Sequence, residues 1–192
     1  MQVQQCGFKE MDMNRIYLDY ASSMPIDLRV FKFAKPYLIE EFGNPSSLYS
    51  AGLKAKSVIE DARKKIAEFI NAENERTIIF TGSATESNNL AIRGTALRNI
   101  KDGKEVISST IEHISVINPM KELQKNGFIF NMAPVDSTGL TNLKKLRNLI
   151  SENNIVTSIM YANNEIGTIE PIQEISKIVH EKGKYLHVDG TA

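Results

Sequence analysis

Short apolar runs rich in β-branched residues alternate along the chain with longer segments of helical period. The short runs predict buried strands and the longer segments predict amphipathic helices. The predicted strands are Ile16–Leu18, Thr77–Phe80, Val106–Ser109, Phe128–Met132, Ile155–Met160 and Tyr185–Val188. One helix is predicted directly after Pro25. Five more are predicted at Ala55–Phe69, Thr85–Lys101, Ile114–Asn126, Asn142–Ile150 and Pro171–Lys182. This alternation predicts an α/β fold, a mostly parallel sheet with helices on both faces.

Capping residues and prolines predict where several helices begin or end. Asp27 is expected to cap the helix that follows Pro25, and Pro36 to break or restart it. Thr141 is expected to cap the helix from Asn142, and Pro171 to stand at the first position of the last helix.

Ligands of parallel sheets bind at the carboxyl ends of the strands, so polar segments after predicted strands are candidate sites. The first is Thr81-Gly82-Ser83-Ala84-Thr85-Glu86-Ser87, between a strand and a helix. The free N–H groups of the helix and the neighbouring hydroxyls can cradle a phosphate or another anion. The same residues can equally be a helix cap with an acidic first turn.

Three further strand ends carry polar residues with two possible interpretations each. His113, after Glu112, can stack on a flat ligand or move a proton, or it is structural. The amides of Asn163 and Asn164 can bind an oxygen-rich ligand or form an Asx turn. Asp189 can present a carboxylate or cap the next helix, and its spacing from the nearby histidines does not suggest a metal site. The four segments together predict a ligand with a phosphate, a flat ring and a nitrogen that uses a buried anion.

Composition and charge remove several other classes of protein. Lys plus Arg number 23 and Asp plus Glu number 23, so no charge excess points to nucleic acid or an anionic membrane. No apolar run approaches the roughly 18 residues of a membrane span. The single cysteine, Cys6, excludes an internal disulfide, and a reducing cytoplasmic location is expected. The length of 192 residues predicts one domain.

Six segments together resemble the cysteine desulfurases of the class V aminotransferase group, from about Ile16 to the last residue. They are Tyr17–Ala21, Phe42–Ser47, Phe80–Ala91, Glu112-His113, Asn163–Gly167 and His187–Asp189. The resemblance implies a homodimer of the fold type I that binds pyridoxal 5′-phosphate (PLP). It also implies cleavage of cysteine to alanine and an enzyme persulfide, whose sulfur passes to an acceptor for iron–sulfur clusters or thiolation.

The resemblance assigns a role to five residues. Ala84 and Thr85 would hold the cofactor phosphate, and Asn164 would lie near the ring oxygen and the substrate carboxylate. His113 would stack on the pyridine ring as the catalytic residue, with a role in proton transfer, and Asp189 would pair with the pyridinium nitrogen. A carboxylate beside this nitrogen favours its protonated form, which makes the ring an electron sink.

The sequence departs from the family in its phosphate loop and in its length. The loop reads Thr-Gly-Ser-Ala-Thr, where Thr-Ser-Gly-Ala-Thr is common, and Ala192 stands where a glutamine is usual. The family's Schiff-base lysine, substrate-binding arginine and cysteine loop have no matching motif. Residues 1–15 precede the first predicted strand and are expected to be an irregular N-terminal arm in which Cys6 has no functional role. Residues 16–192 are expected to be a partial PLP-binding large domain, inactive alone, without its C-terminal part and small domain.

Three hypotheses follow. The chain is part of a desulfurase, either as a homodimer or completed by a second, C-terminal chain. Alternatively, it is a non-catalytic scaffold or partner subunit of a desulfurase. A third possibility is another class V enzyme, such as a selenocysteine lyase or an aminotransferase.

Overall fold

The computed structural model describes residues 16–20 and 22–191. The predicted arm (1–15), with Cys6, and Ala192 lie outside the described residues, and the expectations for them stay predictions. The chain divides into two compact units, of which the first ends at Ile78 and the second begins at Ile79. In the described part of the chain, no helix is long and apolar enough to cross a membrane.

The described residues of the first unit, 16–20 and 22–78, contain two helices and a short 3-10 helix. They are α1 (Leu28–Ile39), α2 (Ser50–Phe69) and the 3-10 helix Glu75–Thr77. The carboxylate of Asp27 accepts the N–H of Arg29 at 2.7 Å, which confirms Asp27 as the cap of α1.

Two predictions for the first unit are wrong. Ile16–Leu18 forms no strand; Ile16 and Leu18 are more than four-fifths exposed, and in the described residues no neighbouring strand pairs with them. Pro36 lies inside α1 and does not end it. Its missing N–H removes only one helical hydrogen bond, and the helix continues to Ile39.

The second unit is a four-stranded parallel sheet with two helices on each face. Its strands are β1 (Glu105–Ser109), β2 (Ile129–Ala133), β3 (Asn154–Met160) and β4 (Tyr185–Asp189), in the order β2-β1-β3-β4. Its helices are α3 (Ala84–Arg98), α4 (Ile114–Lys125), α5 (Leu143–Leu149) and α6 (Ile172–Glu181). The predicted α/β fold is confirmed, and the last four predicted strands each lie within one residue of an observed strand.

Two apolar cores hold the helices against opposite faces of the sheet. On one face, Ile92 of α3 and Met120 of α4 pack with Val106 of β1. On the other face, Leu146 of α5 and Ile175 of α6 pack with the next residue of β1, Ile107. Successive strand residues point to opposite faces, so β1 contributes to both cores.

Between β1 and β3 lies the point at which the order of strand addition across the sheet reverses. From β1 the chain passes through α4 to β2 on one side, and from β3 it passes through α6 to β4 on the other side. The helices α4 and α6 lie on opposite faces, so a crevice opens where β1 and β3 end. Crevices of this kind are the usual ligand sites of open parallel sheets.

Three further sequence predictions are corrected by the structure. Thr77–Phe80 is not a strand, because Thr77 belongs to the 3-10 helix and no described strand pairs with the residues after it. The cap of α5 is Asn142 and not Thr141, since the Asn142 side chain accepts the N–H of Lys145 at 3.0 Å. Pro171 stands one position before α6, at its cap.

Candidate functional site

A pocket of about 260 Å³ opens at the carboxyl ends of β1 and β3, where the order of strand addition reverses. Its walls come from the two segments that leave these strands, Ile111–Ile114 and Asn163–Ile166. His113 and Asn164, predicted from separate motifs, thus line the same pocket.

Asp189 ends β4 as a buried carboxylate, 7% exposed. Its Oδ1 accepts the hydroxyl and the backbone N–H of Thr191, at 2.6 and 3.1 Å, and its Oδ2 accepts Asn88 Nδ2 at 2.8 Å. Burial alone would raise the pKa of Asp189, but these hydrogen bonds outweigh it and hold the pKa below its usual value of 3.8. At neutral pH, the site therefore contains a buried negative charge.

A chain of hydrogen bonds joins Asp189 to His113. Asn88, on the buried side of α3, donates to Asp189 and also to Ser115 Oγ at 2.9 Å. Ser115 Oγ lies 2.7 Å from Nδ1 of His113, and the backbone N–H of Ser115 donates to the same Nδ1 at 3.2 Å. His113 is the N-cap of α4, so the helix start fixes one edge of its ring.

The first turn of α3 leaves two backbone donors free. Ser83 caps the helix by accepting the N–H of Glu86 at 3.2 Å, and Glu86 Oε2 accepts the N–H of Gly82 at 2.7 Å. Within the described residues, the N–H groups of Ala84 and Thr85 have no acceptor. These are the two residues that the family resemblance assigns to a phosphate, and Asn88, one turn further along α3, contacts Asp189.

The two asparagines after β3 have different tasks. Asn163 forms the Asx turn: its Oδ1 accepts the N–H groups of Glu165 and Ile166, and its Nδ2 donates to Ile111 O at 3.0 Å. The side chain of Asn164 makes no hydrogen bond to any residue that the structure describes, and Asn164 lines the pocket on the turn that Asn163 holds.

Glu112 bridges the ends of β1 and β3 beneath His113. It is 9% exposed; Oε1 accepts the Ser109 hydroxyl at 2.6 Å and the Met160 N–H at 2.9 Å, whereas Oε2 is buried without a partner in residues 16–20 and 22–191. Burial raises the pKa of Glu112 to about 7; these two hydrogen bonds oppose the rise, and the charges of Asp189 and Glu170 add to it. Glu112 is consequently an acid whose proton is lost near neutral pH.

The structure brings the five predicted site residues to one end of the sheet. His113 and Asn164 share the pocket, and the hydrogen bonds through Ser115 and Asn88 join His113, Asp189 and α3, which begins with Ala84 and Thr85. Sequence reasoning gave no role to Asn88, Ser115 or Glu112. The one available signal was local, since a serine two residues after His113 can offer its N–H back to the ring. Among the described residues, no group of three or more metal-binding side chains occurs.

Comparison with known proteins identifies the family. The family model described as aminotransferase class-V matches residues 16–192. Cysteine desulfurase IscS 1 of Archaeoglobus fulgidus is 53% identical over 176 residues, covering 92% of this chain and 46% of the relative. Cysteine desulfurase IscS of Dictyoglomus turgidum is 47% identical over 174 residues, covering 91% and 44%.

Solved structures agree with the curated relatives. A NifS-like protein superposes with a TM-score of 0.88 at 36% identity, over 92% of this chain and 49% of that one. The chain thus spans about half the length of the proteins that it matches. Since the family model covers nearly all of the sequence, the chain belongs to the class-V aminotransferases.

Proposed function

We propose that this chain is the PLP-binding part of a cysteine desulfurase, which cleaves cysteine to alanine and passes the sulfur on as a persulfide. The observation that carries the proposal is the buried, ionised Asp189, joined by hydrogen bonds to α3 and to His113. The curated relatives are named cysteine desulfurases, and a solved relative at 35% identity, SspA, is described in complex with cysteine.

The residues present fit the three chemical parts of PLP. The free N–H groups of Ala84 and Thr85 at the start of a 15-residue helix suit a phosphate, because they carry partial positive charge and lack acceptors. Glu86 lies beside them as a second anion, so its bond to Gly82 would open when a phosphate binds. This rearrangement costs little free energy, because Glu86 is exposed and its carboxylate can turn into the solvent.

Asp189 suits the pyridine nitrogen. Each of its carboxylate oxygens has two lone pairs, so Asp189 can accept a further N–H while it keeps Thr191 and Asn88. When bound, PLP supplies an electron sink for carbanions, provided that its ring nitrogen stays protonated. A buried carboxylate with a lowered pKa holds a proton at that nitrogen.

His113 and Asn164 line the remaining part of the proposed cofactor site. His113 has an exposed ring that can stack on the cofactor, and the free amide of Asn164 can donate to the ring oxygen or to the carboxylate of cysteine. No lysine or cysteine is among the pocket-lining residues in the described part of the chain. The amine and thiol of the family's chemistry would come from other residues of the same protein, from its dimer partner or from a complementing chain.

Pyridoxamine 5′-phosphate is a clean probe of this site, because it has the ring and phosphate of PLP but no aldehyde to react with surface lysines. We expect the chain to bind it in equilibrium dialysis, and Asp189→Ala to weaken binding at least about tenfold, since a hydrogen bond to a charged group contributes roughly 1.5–3 kcal/mol. Asp102→Ala, which removes an exposed aspartate after α3, is the matched control and should bind like the parent chain.

Turnover is tested on the complete protein that carries this chain. We expect it to release sulfide from cysteine in the presence of a reductant, with loss of activity in the Asp189→Ala variant. Equal cofactor affinity in the Asp189→Ala variant and the parent would refute the proposed site. Transfer of the cysteine amino group to a 2-oxo acid without sulfide release would refute the desulfurase assignment in favour of an aminotransferase.

A further inference from the structure

Each of the three histidines in this chain has a serine hydroxyl at its Nδ1 atom. Ser176 lies 3.1 Å from Nδ1 of His180, and Ser158 lies 2.8 Å from Nδ1 of His187. A hydroxyl can donate or accept, so these two contacts leave the position of the ring hydrogen open. Among the described residues, a backbone N–H also points to Nδ1 only at His113, from Ser115.

The backbone N–H decides the hydrogen position at His113. An N–H group can only donate, so Nδ1 of His113 must accept and cannot carry a hydrogen. In a neutral imidazole the hydrogen then resides on Nε2. The Ser115 hydroxyl, 2.7 Å from the same Nδ1, must donate as well, since a ring hydrogen there would clash with the backbone N–H.

Asp189 sets the direction of the remaining hydrogen bonds. An ionised carboxylate only accepts, so the side-chain amide of Asn88 must turn its NH₂ group towards Asp189 Oδ2. The second hydrogen of the same NH₂ group is donated to Ser115 Oγ. Ser115 Oγ therefore already accepts from Asn88 and has its own hydrogen available for His113. Every donor in the chain from Asp189 to His113 is thereby fixed.

We propose that Asn88 and Ser115 are positioning residues that link the ionised Asp189 to His113 and hold its ring as the Nε2–H tautomer. His113 then presents a hydrogen-bond donor, and not a base, to the molecule bound in the pocket. Accepting a proton at Nε2 would first require moving the ring hydrogen to Nδ1, which breaks both bonds from Ser115. The identity of the ligand group that accepts the Nε2–H of His113 rests on the proposed function, whereas the tautomer rests on the hydrogen bonds alone.

Nitrogen-15 spectra of histidine-labelled chain in alkaline buffer test the tautomer directly. With only three histidines, His→Gln variants assign every signal. We expect a pyridine-type Nδ1 and a pyrrole-type Nε2 for His113, and averaged signals for the exposed His180. Removing one donor should reduce the excess of the Nε2–H form roughly fivefold, the effect of one ordinary hydrogen bond on an equilibrium.

Two variants and two controls locate the effect. Asn88→Ala should shift the His113 signals towards those of His180. Asn89→Ala should leave them unchanged, because the Asn89 amide donates to Thr85 O within α3 and, in the part of the chain that the structure describes, to nothing else. If Asn88→Ala does not fold, Ser115→Ala makes the same test. Its control is Ser176→Ala, which should move His180 and not His113.

Two results would overturn the proposal: a hydrogen on Nδ1 of His113 in the parent chain, or His113 signals that neither Asn88→Ala nor Ser115→Ala changes. The spectra need no cofactor, so this test is independent of the dialysis experiment. A chain that shows the tautomer but does not bind pyridoxamine 5′-phosphate would contradict the proposed function alone.

Discussion

The Glu112→Gln variant should gain stability relative to the parent chain as the pH is raised from 5 to 8. Folding raises the pKa of Glu112 from 4.5 to about 7, so the folded chain binds more protons than the unfolded chain between these values. The parent therefore loses stability as the pH rises through this window. Glutamine has no proton to lose, so the stability of the variant does not fall for this reason.

Between pH 5 and pH 8 the expected change in the stability difference is about 2–3 kcal/mol, because the pKa of Glu112 rises from 4.5 to about 7 on folding and each pH unit in between costs at most roughly 1.4 kcal/mol. The loss is complete above the folded pKa, because the ionised Glu112 is then buried near Asp189 and Glu170. Urea unfolding at pH 5 and pH 8 measures it. Comparing the two pH values cancels any constant cost of the glutamine NH₂ group beside its buried surroundings.

Glu152→Gln is the control, since it makes the same chemical change at an exposed glutamate after α5. A stability difference between Glu112→Gln and the parent that is the same at both pH values would mean that Glu112 is not a buried acid in solution.

Ile107→Ala is expected to lower the free energy of unfolding by about 2–5 kcal/mol. Ile107 lies on the interior strand β1, is completely buried and packs in the core shared with α5 and α6. Its truncation removes apolar contacts and leaves a cavity that the parallel strands on both sides of β1 cannot easily close.

Ile129→Ala is the matched control, because it makes the same chemical change on the edge strand β2 of the same sheet. Ile129 is 54% exposed, so its loss should cost less than about 1 kcal/mol. Since both changes alter β-propensity alike, the difference between the two variants measures burial. Equal losses would contradict the assignment of Ile107 to the core.

Periodicity alone predicted the second unit closely, because each of its strands contains a short apolar run, and the interior strands β1 and β3 are buried on both faces. It was wrong for Thr77–Phe80, which has the same composition, because a strand also needs a neighbour to pair with and composition does not reveal one. Thr141 resembles a helix cap, but its N–H and hydroxyl donate to the buried Glu170 and Asn142 caps α5 instead.

The site was predictable as far as chain order determines it. Once the strands are known, the topology of a parallel sheet brings their carboxyl ends to one edge, so His113, Asn164 and Asp189 were expected to converge. The hydrogen bonds that link them were not predictable. Asn88 and Asp189 are 101 positions apart, and Asn88 and Ser115 are 27 apart, so no local pattern connects them.

The parallel arrangement of the four strands also matters for attaching this protein to a surface or a dye. All proposed ligand contacts gather at one edge of the sheet, and the turns that enter the strands lie at the opposite edge. The exposed amine of Lys182, in the turn before β4, is therefore separated from Asp189 by the whole strand, about 16 Å for five residues. Immobilisation through this turn would leave the pocket open to the solution.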